Sequence, residues 1–355
     1  MMPGKFYLIK TVFLGLMVAV AYLMACNINN DKKNSLTITP AFYHWKTTFN
    51  PTGFEKNVLQ QNKVEHLYLR FFDVSWDDTY QQPTPIAQLR FGDTSLKENR
   101  LQIIPTVFIT NECIRNIKPE QCKLLAHNIV KLISSISASN GIDSIKEVQM
   151  DCDWTASTKE KYFSLLTELQ KIDTVHLYSA TIRLFQIKYA AEAGVPPVKK
   201  GLLMCYNMGN LKSMATQNSI LDVGEVKKYI SALNKYSLPL DIALPLFQWY
   251  VLFRQGAYAG LVQNISAKEF QSFSKPISSN RIEIIADTVF KNTTFKKGDM
   301  LRLEECSFHN IMKTADVLKQ KLKNENRRLV LYHLDSITLN KYSTHEIKSV
   351  FSSLH

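Results

Sequence analysis

Near the middle of the chain, the stretch EVQMDCDWTAS (Glu147 to Ser157) sets two aspartates two residues apart at the end of an apolar run. Side chains alternate between faces on an extended segment, so Gln149, Asp151 and Asp153 share one face and Val148, Met150 and Cys152 the other. At a strand rise of ~3.3 Å the two aspartate Cα atoms stand roughly 6.6 Å apart. With an effective dielectric near 20, two unit charges at that separation repel by about 2.5 kcal/mol. The repulsion raises one pKa unless a cation intervenes, and Arg70 and Arg183 are the cations a purely structural role would use. A carboxyl kept protonated beside an ionised one is the chemistry of glycoside hydrolysis. A metal is not indicated, because no histidine falls at ligand spacing beside the pair, and no cofactor motif accompanies it.

These residues need a frame that brings them together. Eight short apolar runs have strand character: Leu36 to Trp45, His66 to Val74, Leu101 to Ile109, Lys146 to Trp154, Val175 to Ile182, Gly201 to Met208, Leu240 to Phe247 and Leu329 to Asp335. Helical periodicity separates the later ones, over Pro119 to Ile136, Ser157 to Ile172, Val223 to Tyr236 and Ser307 to Lys323. Proline opens the first of these helices, and Ser157 with Glu160 reads as a capping box on the second. Strands buried on both faces, alternating with helices, predict an α/β fold: a (β/α)8 TIM barrel over residues 36–355. An open doubly wound sheet is the alternative, but the glycine-rich first turn that serves phosphates in such folds is missing. Residues 249–306 break the alternation and read as a β-rich insertion after strand seven, placed to roof one side of the barrel mouth.

In a barrel, the carboxyl ends of all strands meet at the mouth, where polar residues call for a purpose. Reading each run to its end gives Tyr43, His44 and Trp45; Arg70, Asp73 and Trp76; Thr110 and Asn111; Gln149, Asp151 and Asp153; Thr181 and Arg183; Tyr206 and Asn207; Gln248 and Trp249; His333 and Asp335. Aromatic rings, amides and carboxylates suit a glycan, with Asp151 and Asp153 as catalytic candidates. Tyr43, Trp45, Arg70, Asp73, Gln149, Arg183, Tyr206, Asn207, Trp249 and Asp335 are the candidate substrate-binding residues. The lone histidines His44, His127, His176 and His309 have no triad context and read as packed or surface residues.

The run Asp151-Cys152-Asp153-Trp154 resembles the fourth strand of the chitinase-like enzymes of glycoside hydrolase family 18, Asp-x-x-Asp-x-Asp-x-Glu. Met204-Cys205-Tyr206-Asn207 resembles that family's sixth-strand Met-x-Tyr-Asp/Asn. The wider look of the chain, from FYHW through VQMDCDW to LYHLDS, also resembles uncharacterised bacterial barrel lipoproteins near that superfamily. The resemblance implies that Asp151 orients its neighbour, Asp153 supports a substrate-derived oxazolinium, residue 155 protonates the leaving oxygen and Tyr206 holds the acetamido carbonyl. The sequence departs from the pattern with Val148 at the first aspartate and Thr155 at the proton donor, and a threonine cannot serve as a general acid. The family's tryptophan near the end of strand eight is not evident, since LYHLDS offers Tyr332 and His333.

The N-terminus adds a location. Lys5 and Lys10 precede an apolar run from Thr11 to Ala25, too short for an ordinary span, and Leu23-Met24-Ala25-Cys26 resembles a bacterial lipobox. Residues 1–25 then form a lipoprotein signal peptide, Cys26 carries the acyl groups, palmitate among them, and residues 26–35 tether the domain in the bacterial cell envelope, at the outer membrane on its periplasmic or surface face. Of 43 basic and 31 acidic residues, Lys5 and Lys10 lie in the leader, which leaves a formal +10 for the mature chain. The lysines are scattered, so no nucleic-acid partner is indicated. Five cysteines follow Cys26; Cys113 and Cys122 flank a loop that a local disulfide could close, whereas Cys152 and Cys205 read as core thiols. Three functions fit: a glycoside hydrolase with a relocated acid, drawn from Asp153, Glu304, Glu305, Asp335 or Asp73; a barrel that binds glycan without cleaving it; and an envelope scaffold working through the insertion.

Overall fold

The structure, a computed structural model, describes residues 36–92, 101–263 and 265–355. The expected signal peptide, Cys26 and the expected tether lie outside the described residues. Eight parallel strands form the ring: β1 (Ile38–His44), β2 (His66–Asp77), β3 (Gln102–Ile109), β4 (Glu147–Cys152), β5 (Leu177–Arg183), β6 (Lys200–Met204), β7 (Leu240–Pro245) and β8 (Arg327–Tyr332). Closure is direct, because β1 pairs with both β8 (Ala41 opposite Val330) and β2 (Tyr43 opposite Tyr68). The predicted (β/α)8 barrel is the observed one, and the open sheet is excluded.

Strand cores match their predicted runs, but several ends are shorter. β4 stops at Cys152 and β6 at Met204, while β8 begins two residues earlier and stops at Tyr332. The strand leaves the ring after β4 because Trp154 turns outward into the helix layer. Its buried indole stacks on Tyr162 at 5.2 Å and donates to the Ala193 carbonyl at 2.9 Å.

The helices follow the same pattern. Pro119–Ser139 opens on its proline, and Lys159–Ile172 begins later than predicted. The Ser157–Glu160 capping box does not form: Ser157 Oγ bonds Thr155 Oγ1 at 2.9 Å, and Thr158 takes the N-cap position. The predicted helix from Val223 ends at Tyr229 and resumes as one 3-10 turn, Leu233–Lys235. Phe308–Lys319 is capped by Ser307, whose hydroxyl accepts from Asn310 N. Cys113, Cys122, Cys152 and Cys205 are buried free thiols, so no disulfide joins Cys113 to Cys122.

After β7 the chain leaves the ring to build a five-stranded antiparallel sheet from Gln248–Arg254, Ala257–Val262, Ser274–Ser278, Arg281–Ile284 and Met300–Glu305. Tyr250, Phe270, Phe273, Phe295 and Leu301 give it a core of its own. One buried ion pair ties this sheet to the barrel. Arg302 Nε donates to Glu304 Oε1 at 2.8 Å, and its other nitrogens donate to the carbonyls of Ser213 and Leu211 in the segment after β6. Glu304 Oε2 accepts from Ser219 Oγ and, at 2.8 Å, from the Trp249 indole.

Removing one partner of a buried pair strands the other charge. Glu304→Ala should therefore lower unfolding free energy by about 3–5 kcal/mol in a denaturant titration. Lys171→Ala, which opens the exposed pair with Glu168, should leave the midpoint nearly unchanged.

Candidate functional site

At the carboxyl end of the ring lies a cavity of about 280 Å³. Its wall contains Tyr43 and Trp45 after β1, Arg70 on β2, Phe108 on β3, Asp151 and Asp153 at the end of β4, Arg183 on β5, and Met204, Tyr206 and Asn207 at the end of β6. Phe247, Gln248, Trp249 and Gln263 come from the insertion side, and Tyr332, His333 and Thr338 from the end of β8. The two candidate catalytic aspartates thus share one cavity with seven of the ten candidate binding residues.

The remaining three stand behind the wall. Gln149 is fully buried and accepts a hydrogen bond from Tyr43 Oη through Oε1. Asp73 forms a two-pronged ion pair with Arg70, whose Nε donates at 2.6 Å, and that guanidinium lies 5.3 Å from the centre of the Trp45 ring. Asp335 caps the short helix Ser336–Leu339 through Thr338 N and pairs with Lys46. Burial pushes the Asp335 carboxyl up, but the hydrogen bonds from Lys46 and Thr338 N outweigh that effect and hold it below the usual carboxylate range.

Position decides the character of each aspartate. Asp151 is buried, and Thr181 Oγ1 donates to its Oδ1 at 2.6 Å. Desolvation, followed by the charge of Asp153, pushes its pKa up to about 7 against the opposing Thr181 hydrogen bond and Arg183 charge. Asp153 is more open, with its side chain 38% exposed, and faces Arg183 Nε at 3.4 Å. That guanidinium also donates to the Asn207 carbonyl at 3.2 Å. Asn207 holds a left-handed backbone, φ 54°, which asparagine tolerates better than most residues.

Thr155 does not reach this cavity. It is exposed, its backbone N–H is bonded to Thr158 Oγ1 at 2.9 Å, and its hydroxyl is shared with Ser157. The other carboxylates proposed as relocated acids are engaged elsewhere. Glu304 is buried against Arg302, and Glu305 lines a separate small cavity with Cys306 and Tyr342. Among the described residues, Asp151 and Asp153 are the only carboxylates on the mouth wall.

The aromatic floor is larger than the sequence reading found. Tyr332, joined to His333 by a cis peptide bond, lies 5.3 Å from Tyr206, 5.4 Å from Phe247, 5.7 Å from Tyr43 and 6.0 Å from Trp45, measured between ring centres. Burial raises the Tyr43, Tyr206 and Tyr332 hydroxyls above the ordinary phenol range, so they stay protonated as donors. Asn207 Oδ1 and His333 Nδ1 are buried on this wall without a hydrogen-bond partner among the described residues.

No protein-family model matches the sequence, and no curated protein matches it. Solved structures do resemble the fold. The spore cortex-lytic enzyme SleL of Bacillus cereus superposes with a TM-score of 0.52 at 12% identity, over 90% of this chain and 74% of that one. A chitinase from Bacteroides thetaiotaomicron gives 0.50 at 11% identity, over 89% and 97%. A class V chitinase from Nicotiana tobaccum in complex with NAG4 gives 0.50 at 9% identity, over 90% and 100%. At these identities the likeness is one of fold, and the fold is the chitinase-like barrel. The resemblance to barrel lipoproteins has no counterpart in these three likenesses.

The raised pKa of Asp151 sets a pH dependence. The folded state holds this proton more tightly than the unfolded chain, so the contribution to stability is full below the ordinary aspartate pKa of 3.8 and is lost as pH rises through about 7. Each unit of difference corresponds to ~1.4 kcal/mol. Denaturation midpoints measured between about pH 4 and pH 8 should fall more steeply for the wild-type protein than for Asp151→Asn. Parallel curves would show that Asp151 titrates normally.

Proposed function

We propose that this chitinase-like barrel binds an oligosaccharide in its mouth and holds it without cleaving it. The observation that carries the reading is the make-up of the mouth wall: an aromatic floor around Tyr332 with two carboxylates, and no carboxylate at position 155, whose threonine lies off the wall. Pyranose rings present apolar faces to Trp45, Tyr206, Trp249 and Tyr332, while hydroxyl and acetamido groups meet Asp151, Asp153, Arg183 and Asn207. The unpartnered Asn207 Oδ1 and His333 Nδ1 support the reading, because buried polar atoms ordinarily have partners. Protonated Asp151 would act as a hydrogen-bond donor to the sugar, and Asp153, in reach of solvent, as an acceptor.

Hydrolysis is the second reading, and one observation favours it. A carboxyl pushed up to about 7 beside a more open one has the ordering of an acid and its partner, with Asp151 as proton donor in place of residue 155. A chitotetraose incubation followed by mass spectrometry separates the two readings. The binding reading expects the tetramer to be recovered intact, with affinity falling about tenfold or more in Tyr206→Ala and Trp45→Ala by calorimetry. Cleavage by the wild-type protein that is abolished in Asp153→Asn would establish the second reading instead. Failure to bind any glycan would remove both.

The site is proposed to work from an acyl anchor at Cys26 in the bacterial cell envelope, a placement supported by the basic, apolar and Leu-Met-Ala-Cys order of the leader. No helix among the described residues is long and apolar enough to cross a membrane. Expression in a bacterial host should give labelled palmitate incorporation and a membrane-fraction protein. Cys26→Ala should lose both.

A further inference from the structure

The ring strands are parallel, so the segments that lead into them gather at the end of the barrel opposite the mouth. These segments carry exposed lysines: Lys63 before β2, Lys146 before β4, Lys199 before β6, Lys235 before β7, and Lys321 and Lys323 before β8. None of the six forms a salt bridge among the described residues, whereas Lys200 and Arg328, further in, pair with Asp241 and Glu147. Lys323 Nζ donates to the Tyr236 carbonyl, a contact that leaves its charge unneutralised. The acidic groups in these segments are fewer. Glu65 and Asp143 are exposed and Glu325 is half-buried, while Asp173 is spent on His176 and Tyr178. The positive field reaches inward: burial first, then the charges of Arg328, Lys200 and Lys146, push the His66 imidazole down to about 4.

The same face carries apolar tips. Val175, 82% exposed, and Leu177, 38% exposed, stand at the start of β5, between the segments of Lys146 and Lys199. The Lys146 carbonyl accepts from Leu177 N at 2.9 Å, and the Tyr178 carbonyl accepts from Lys199 N at 3.3 Å. Apolar side chains flanked by unpaired cations suit the headgroup layer of an acidic bilayer, where amines meet phosphates and apolar tips reach the acyl boundary. A soluble polyanion would satisfy the lysines but would give Val175 and Leu177 no apolar phase.

The chain also enters the barrel at this end, since β1 starts at Ile38, opposite Arg327 at the start of β8. Ile38 is twelve residues after Cys26, a link of at most roughly 40 Å against a width of about 50 Å for a domain of this size. An anchor at Cys26 therefore holds the lysine face nearest the bilayer. We infer that this amino-end face docks on a bilayer containing anionic phospholipid, with Val175 and Leu177 at the headgroup boundary and the lysines on phosphates around them. The mouth then opens away from the membrane. The inference rests on the acyl anchor at Cys26 and is independent of what the mouth binds.

The test uses protein purified from bacterial membranes and reconstituted into vesicles of phosphatidylcholine, alone or mixed with phosphatidylglycerol. Lysine modification by a water-soluble acylating reagent is followed by mass spectrometry, and the acyl state of Cys26 is read in the same spectra. The expected result is several-fold slower modification of Lys146, Lys199 and Lys235 in the mixed vesicles, with Lys212, after β6, and Lys275, on the inserted sheet, unchanged. Protection should vanish in about 1 M salt, where the screening length is about 3 Å. Lys199 and Lys235 should also lose it in the double variant Val175→Asp, Lys146→Glu, both changes being at exposed positions. Equal modification of the acylated protein in the two vesicles would overturn the inference alone, as would protection that spreads to Lys212 and Lys275. Equal protection by a soluble anionic polymer would mark a polyanion surface and overturn it too. A protein with no acyl group at Cys26 would remove the anchor and this docking with it.

Discussion

Closure of the sheet is the constraint on which the remaining features depend. Because β1 hydrogen-bonds to β8 on one side and β2 on the other, the ring has no open edge and its interior must be filled from within. The lower half is filled by charge. Arg328 reaches Glu147 at 2.5 Å, Lys200 reaches Asp241 at 2.7 Å, and the Tyr68 hydroxyl accepts from Arg328 at 3.0 Å. The aromatic layer of Tyr43, Tyr68, Tyr206 and Tyr332 sits above that cluster, and the cavity opens above the rings. Asp151 lies at the boundary between filled and open halves, which is why desolvation is the largest influence on it.

The same boundary explains the contrast between the two aspartates. Asp153 is only two residues on, but β4 has ended, and the chain has risen far enough for its carboxyl to meet solvent and Arg183. One more pair of residues brings Thr155 into a solvent-facing turn closed by Thr158. Trp154 enforces that departure, since its indole belongs to the helix layer and pulls the backbone outward. The absence of an acid at position 155 is therefore a matter of backbone course as well as side-chain type. A carboxylate on that turn would begin from an exposed position away from the mouth wall.

The fold was legible in the alternation of two kinds of run. Strand runs such as LDIALP are short and buried on both faces, and they are separated by long helical runs such as PEQCKLLAHNIVKLIS whose apolar residues recur at helical spacing. The insertion was legible for the opposite reason, since short alternating runs without a helix between them cannot continue a βα ring. Strand ends were harder. LYHLDS drew attention to His333 and Asp335 by polarity, whereas β8 stops at Tyr332, and that ring joins the floor. On β2, an irregularity between Arg70 and Phe72 breaks strict alternation, so Arg70 faces the cavity while Asp73 stands behind it as its counterion. Gln263 carried no local signal, because it arrives at the mouth only through the path of the inserted sheet.

That path makes the insertion more than a roof. Its attachment runs through Arg302 and Glu304, both buried, and the Glu304 oxygen that is not held by Arg302 receives the Trp249 indole. An ion pair of this kind gives little net stability over apolar packing, but it penalises any arrangement in which a partner is missing. The penalty fixes the orientation of the sheet against the segment after β6, through Ser213, Leu211 and Ser219. Shifting the insertion against the barrel would require Arg302 to give up the Ser213 and Leu211 carbonyls and Glu304 to give up the Ser219 hydroxyl, so the wall that Trp249 contributes to the mouth depends on the same buried pair.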